Sequence, residues 1–377
     1  MRIFYLQNFI LPIKLGLIMR DLFINQNPPL PENPAPIVIL GAGGIVKDAH
    51  LPAYRKAGFK VIGIYDRDIA KAEALARAFE IGHVCRFLDE AVELGRGQAI
   101  FDVAVPAAAI LFVLPSLPDG AGVLIQKPMG ETLAQAREIR SLCHQKKLKA
   151  AINFQLRYAP LALAARSLIE QGAIGELCNV DFRVNVYTPW HLWTFLEGIP
   201  RVEILYHSIH YLDLIRSFLG DPKGVYAKTL RHPKAPRLAA TRSNIILDYG
   251  NKVMASVSAN HHHEFGPRHQ ESYVKWEGER GAIKAQLGVN LNYPEGLPDS
   301  FEYCLLNDGE PPHWQSVDLK GTWFPDAFIG TMASVMRFVE GSSSELPTSV
   351  DDAFRTMAVV EAAYRSSDSG ATEIPNE

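Results

Sequence analysis

The sequence predicts an α/β protein in two parts: an N-terminal doubly wound parallel sheet over residues 36–153, then a C-terminal α+β domain over residues 154–377 with a large, mostly antiparallel, open-faced sheet. Three observations carry that expectation. The chain has 377 residues, more than the ~250–300 at which a single core usually stops growing. Up to residue 153, short apolar runs alternate with stretches of helical periodicity, the pattern of parallel strands joined by crossover helices. Beyond about residue 175, long β-rich segments follow one another across short turns, which suits antiparallel pairing.

Taken in order, residues 36–40 (Pro-Ile-Val-Ile-Leu) read as an apolar strand leading into Gly41-Ala-Gly43-Gly44-Ile45-Val46 and a helix start. The next strand, Val-Ile-Gly-Ile-Tyr at 61–65, ends on Asp66. Residues 69–80 place Ile69, Ala72, Leu75, Ala76 and Phe79 at helical spacing. There follow a short helix over 89–94, a buried strand over 100–105 ending at Pro106, a helical stretch over 107–117, a strand over 122–127, an amphipathic helix over 131–147 and a strand over 149–153. A helix over 160–171 starts on Pro160, at the favoured first-turn position, and stops at Gly172. Strands are expected over 177–188, 224–232, 243–249, 252–262, 271–277, 301–307 and 315–319. One helix over 203–219 interrupts them, and two over 329–340 and 350–366 close the chain. One face of this sheet should carry helices; the other, if apolar, is the expected interface of a homodimer or homotetramer.

Residues 1–35 stand apart as an extension. Met1 to Leu17 is apolar but broken by Gln7, Asn8, Pro12 and Lys14, and no small-residue cleavage site follows, so it does not read as a secretory signal. Met19 is an alternative start, and residues 25–36, with five prolines, read as an unstructured lead-in. No run of about 18 uncharged apolar residues exists, so no membrane partner is expected. A formal charge of −3 offers no general attraction to nucleic acid. The four cysteines form no C-x-x-C pair, which fits reduced thiols and a cytoplasmic location.

The strand–glycine turn–helix–strand–carboxylate order is the half of a Rossmann unit that holds a dinucleotide. Gly41 permits the tight turn, Gly43 lets the backbone approach a pyrophosphate, and Gly44 and Ile45 open a helix whose free N–H groups and positive dipole end face the phosphates. Val46, at the third small position of the fingerprint, should push helix and strand slightly apart. Asp66 is placed to accept from a ribose hydroxyl and would repel a 2′-phosphate; this favours NAD, while Arg67 beside it keeps NADP possible. Ligands of such sheets bind beyond the carboxyl ends of the strands, where Pro106, Gln126, Lys127 and Asn153 fall.

Lys127 at such an end suits hydride chemistry, as an ammonium polarising a substrate oxygen or, with a pKa depressed by burial, as a proton relay; the alternative is a solvent-facing lysine. In Glu203-Ile-Leu-Tyr206-His207-Ser208-Ile-His210-Tyr-Leu-Asp213, helical spacing sets His207, His210 and Asp213 on one face, so the carboxylate could orient an imidazole for proton transfer. Structural histidines are the alternative, and no further cluster at ligand spacing supports a metal. His261-His262-His263 ends a strand and reads as a loop edge. Trp190, His191 and Trp193 could line a sugar-sized pocket or pack between domains.

These motifs together give the chain a resemblance to the glucose–fructose oxidoreductase / inositol dehydrogenase family, written Gfo/Idh/MocA, over about residues 36–370. The resemblance rests on residues 41–53, from Gly41 through His50 and Pro52; on Gln126-Lys127-Pro128; on Asn153-Phe-Gln155-Leu-Arg157-Tyr; on the spacing from Tyr206 to Asp213; and on the closing helix from Val350. It implies a nicotinamide enzyme that oxidises a hydroxyl of a sugar, polyol or related carbohydrate, with Lys127 and His210 catalytic. Residues Gln155 and Arg157 then fall where family members approach the nicotinamide or substrate. Three departures accompany it. Gln126 replaces the family glutamate, Tyr206 the family aspartate and Ser208 a glycine, while His207 is extra. Tyr206 or His207 is then expected to take the missing carboxylate's part on the substrate. Two other activities on this fold remain open: an NAD-retaining enzyme without net redox change, acting by elimination or glycoside cleavage, and a ligand-sensing regulator that has lost the chemistry.

Overall fold

A computed structural model describes residues 22–293 and 295–375; the apolar stretch of 1–17 and Met19 lie outside them. The first sheet is all parallel: β1 (Ile37–Leu40), β2 (Val61–Tyr65), β3 (His83–Cys85), β4 (Ile100–Val103), β5 (Gly122–Ile125) and β6 (Lys149–Ile152), in the order β3-β2-β1-β4-β5-β6. The order reverses between β1 and β4, so the turn after β1 opens at the crevice where doubly wound sheets take their ligands. Helices α1 (Leu51–Ala57), α2 (Ile69–Phe79), α3 (Leu88–Gly95), α4 (Ile110–Val113) and α5 (Leu133–Gln145) make the crossovers. Thr132 caps α5, accepting from Gln135 N–H, while the Gln135 side chain reaches back to Glu131 N–H, a reciprocal satisfaction of free helix-end donors.

Two features differ from the sequence expectation here. The helix expected over 107–117 is split into 3-10 turns at Ala107–Ala109 and Leu114–Ser116 around the short α4, consistent with Pro115 lacking the N–H that a continuous helix needs. The edge strand β3 went unrecognised because three residues are too few to show a period.

After α6 (Pro160–Glu170) the chain builds the second sheet from β7 (Leu177–Asn185), β8 (Gly224–Leu230), β9 (Arg242–Asp248), β10 (Met254–Asn260), β11 (Glu271–Gly278), β12 (Gly281–Gln286), β13 (Ser300–Leu305) and β14 (Trp314–Ser316). Their order is β14-β13-β12-β11-β7-β10-β9-β8, antiparallel throughout except for β7 beside β10. Only β12 was missing from the expected strands. The register sorts the two faces. One row reads Ala227, Ile245, Val257, Phe182, Val274, Ala285, Phe301, and all but the edge residue Ala227 are buried. The next row reads Tyr226, Ile246, Ser256, Asp181, Lys275, Lys284, Glu302. The open face is therefore polar over most of its area, with exposed Tyr226, Ile246 and Met254 gathered at one end; the expectation of an apolar face holds only there.

Helix α7 (Ile209–Leu219) and the closing pair α8 (Ala327–Glu340) and α9 (Val350–Ser369) complete the fold. α8 returns to the first sheet: Phe328 and Met332 share a cluster with Ile37, Ile39 and Leu124. A side chain at Gly122 would stand 2.8 Å from Val339, so that glycine is what lets α8 lie against β5. The lead-in over 25–36 has no regular structure but is held: Gln26 is buried, donates to Asp318 C=O and accepts from Lys320 N–H. Among the described residues no helix is long and apolar enough to cross a membrane.

Candidate active site

The site forms where the carboxyl ends of the parallel strands face the helical segment that opens at Glu203. Strand pairing sets Leu40, Tyr65, Val103, Ile125 and Ile152 in one line; the residues that follow them, Gly41, Asp66, Ala104, Gln126 and Asn153, form the rim. Gly41 has φ +119°, and a Cβ there would stand 2.4 Å from the Ala104 carbonyl oxygen, so only glycine closes this turn. Gly43 and Gly44 are exposed, with nothing within 4 Å of a Cβ at Gly43. The chain is helical from Gly44, with half-buried Ile45 in its first turn, and is wound as a π-turn over Val46–His50 before α1. Val46 is fully buried beside Ile37, Ile39 and Ala42.

The half-buried Asp66 turns back on the glycine turn. Its Oδ2 accepts Ala42 N–H at 2.6 Å and its Oδ1 accepts Asp68 N–H at 2.8 Å. A carboxylate has about four acceptor sites, so the ribose hydroxyls of a dinucleotide can still be met. Arg67 and Pro106 are exposed at the same rim. Gln155 is 0 % exposed with neither amide oxygen nor nitrogen partnered, an orphaned buried amide of the sort that a bound group or water satisfies. An open glycine cradle, an acceptor at the end of β2 and an unpartnered amide beyond β6 fit a dinucleotide.

Gln126 is buried and accepts from Asn153 Nδ2 at 3.1 Å; Asn153 also meets His50 Nε2 at 3.3 Å and accepts from Thr331 Oγ1 at 2.8 Å. His50 Nδ1 is in turn 2.7 Å from Asp102, which also accepts from Tyr54. This polar chain under the rim packs the residue preceding Lys127 rather than presenting Gln126 to a ligand.

Lys127 crosses to the second part of the molecule and donates to the main-chain carbonyl of Tyr206 at 2.8 Å. Burial pulls its ammonium down to about 8. Tyr206 lies in a π-turn, Ile204–Ser208, that precedes α7; its half-buried ring meets Phe195 edge-on, and burial with Glu131 raises its hydroxyl to about 12. His207 and His210 are both held well below the ordinary imidazole value. Burial is the main cause for each; then come the fields of His261, Lys127 and His210 for His207, and that of Lys127 for His210. The two histidines are thus neutral and close enough to the lysine to feel its charge. His210 packs edge-on against Trp323, and its buried Nδ1 has no partner. Trp190 is buried against His207, with ring centres 4.9 Å apart.

Three expectations change. Arg157 does not face the cleft: Nε and Nη2 bind both oxygens of Asp213 at 2.6 Å, Nη1 donates to Pro347 C=O, and Nη2 also meets Asp352. Its donors are committed to burying the α7–α9 junction, so it cannot hold substrate. Asp213 consequently does not orient His210; its oxygens go to Arg157 and to the Thr356 hydroxyl, a stronger pairing than an imidazole offers. The His261-His262-His263 run is not a loop edge, since all three are buried. His261 stands 4.6 Å ring to ring from His207, and His262 stacks on His232 at 4.4 Å. Among the described residues no three His, Cys, Asp or Glu are grouped to hold a metal ion.

Comparison with known proteins agrees with this geometry. Residues 36–154 match the oxidoreductase family with an NAD-binding Rossmann fold, and residues 162–284 match the GFO/IDH/MocA C-terminal domain. A D-apiose dehydrogenase from Rhizobium rhizogenes is 25% identical over 84% of this chain and 90% of its own length. Among solved structures, an oxidoreductase from Agrobacterium radiobacter in complex with NAD+, L-tartaric acid and magnesium superposes with a TM-score of 0.73 at 21% identity, over 90% of this chain and 98% of that one. An aldose-aldose oxidoreductase from Caulobacter crescentus complexed with glycerol gives a TM-score of 0.73 at 17% identity, over 90% and 99%.

Proposed function

The chain belongs to the Gfo/Idh/MocA oxidoreductase family, and on that premise we propose that it oxidises a secondary hydroxyl of a neutral sugar or polyol, with NAD preferred over NADP. The observation that carries this reading is the meeting of Lys127 with the histidine segment across the cleft. Its ammonium reaches Tyr206 C=O and its charge acts on His207 and His210. The residues that would hold the cofactor are Gly41, Gly43, Gly44, Ile45 and Asp66, with Arg67, Pro106, Gln126 and Gln155 around them. When bound, the nicotinamide supplies the hydride acceptor.

The chain's own residues supply the proton chemistry. His210, neutral because it is buried, takes the hydroxyl proton as general base, and Lys127 donates a hydrogen bond to the oxygen as it becomes a carbonyl. Tyr206, His207 and Trp190 wall the substrate. With Arg157 committed elsewhere, Lys127 is the one cation among these site residues, which favours an uncharged substrate over a sugar acid. The curated relative named D-apiose dehydrogenase supports a sugar.

A panel of sugars, polyols and their acids, incubated with NAD or NADP and followed by absorbance of the reduced cofactor, tests this. Turnover with a neutral member and NAD is expected. Product formed without reduced cofactor would instead support the cofactor-retaining reading. A ligand that binds without turning over would support a regulator. Assembly through the open sheet face is part of the proposal, and light scattering should give a dimer or tetramer.

A further inference from the structure

Behind His207 lies a group that the chemistry above leaves unused. Glu203 opens the segment bearing both cleft histidines and is 0 % exposed. Its Oε1 accepts the Ser208 hydroxyl at 2.6 Å and stands 3.4 Å from His261 Nε2, while its Oε2 has no hydrogen-bond partner. A buried carboxylate persists only where donors and charge meet it, and here the helix N-terminus, Ser208 and His261 are what it has. On its far side His261 Nδ1 lies 2.9 Å from the Thr188 hydroxyl, and its main chain is tied to Thr241 and Thr188. A hydroxyl donating to Nδ1 leaves the proton on Nε2, facing Glu203; the other tautomer would set a lone pair against the carboxylate.

His207 is wedged between this ring, at 4.6 Å and a 56° tilt, and the edge of Trp190, at 4.9 Å. It makes no hydrogen bond of its own among the described residues, so its orientation comes from these two neighbours. We propose that Glu203 and His261 are positioning residues: the buried carboxylate locks His261 in its Nε2–H tautomer, and the locked ring sets the plane in which His207 presents a free nitrogen to the substrate. The second half rests on reading the cleft as the site of hydroxyl oxidation; the tautomer lock does not.

The other titratable groups around this trio are Lys127 and His210 toward the cleft, Tyr211 and Tyr364 beside Glu203, and His262 beside His261. The lock is read directly in the full chain labelled with 15N-histidine, from long-range imidazole spectra between about pH 6 and about pH 8. His207→Asn and His261→Asn assign the peaks. His261 should show one neutral tautomer, protonated on Nε2, throughout. Glu203→Gln, whose amide can present either a donor or an acceptor, should give a mixture of tautomers and move the His207 signals, and Glu203→Asp should keep part of the lock. Thr188→Val should loosen it from the other side, and it answers the question if the glutamine variant fails to fold. A wild-type His261 protonated on Nδ1, or a His261 pattern unchanged in both Glu203→Gln and Thr188→Val, would overturn the proposal. If no panel substrate is turned over but the tautomer pattern changes as described, the lock stands and the dehydrogenase reading fails.

Discussion

Two polar clusters meet on α7 and differ in how completely they are satisfied. Toward α9, Asp213 and Arg157 bind each other twice, Thr356 donates to Asp213, and Arg216 reaches Asp221, Asp352 and Thr356. Toward the cleft, His210 leaves Nδ1 bare, His207 bonds to nothing among the described residues, and Lys127 has only a main-chain carbonyl. A cluster whose donors and acceptors are used up among themselves has no capacity left for a ligand. One that is buried and under-partnered keeps that capacity and shifts its pKa values instead. The first reads as architecture and the second as a site.

Removing Lys127 is the sharpest way to break this contrast. Lys127→Ala should lower turnover ~10²–10⁴-fold while NAD binding, followed by fluorescence titration, stays nearly unchanged; wild-type turnover would remove the lysine from the mechanism. The opposite cluster should fail differently. Breaking its buried pair with Arg157→Met strands Asp213, and a loss of about 3–5 kcal/mol is expected in denaturant unfolding. His210→Asn should leave the unfolding midpoint near wild type and abolish turnover. Equal stability losses in the two variants would erase the distinction.

A smaller effect tests the cofactor rim. Asp66→Ala should cost about 1.5–3 kcal/mol of NAD affinity and narrow the gap to NADP, measured by titration with each. The smallest is a shift along the pH axis. Lys127 is held near 8 and is an ammonium below that value, so kcat/KM should fall as pH rises through about 8. His210, held well below its usual range, stays neutral and able to accept a proton down past pH 6.5. Lys127→Arg should move the alkaline limb upward, because a guanidinium does not titrate in this range.

The parallel sheet, its glycine turn, Asp66 and nearly every strand of the second sheet were legible because each follows from local rules: apolar period, turn chemistry and the carboxyl-end position of ligands. Lys127 was legible for the same reason, as a cation at a strand end. His207 and His210 were found through helical spacing. That same spacing misassigned Asp213, because the three-residue separation that makes a partner possible does not exclude a stronger one elsewhere.

The sequence alone determined the order of elements, the dinucleotide cradle and the residues able to handle a proton. Tertiary structure decided which of them face one another. Arg157 took Asp213 and left His210 bare, Glu203 and His261 came together from segments far apart in the chain, and the histidine run became interior rather than edge. The physical reason is that periodicity is written in neighbouring residues. Hydrogen-bond and charge satisfaction is instead a competition among all groups that folding brings within about 4 Å, and no local pattern records who wins it.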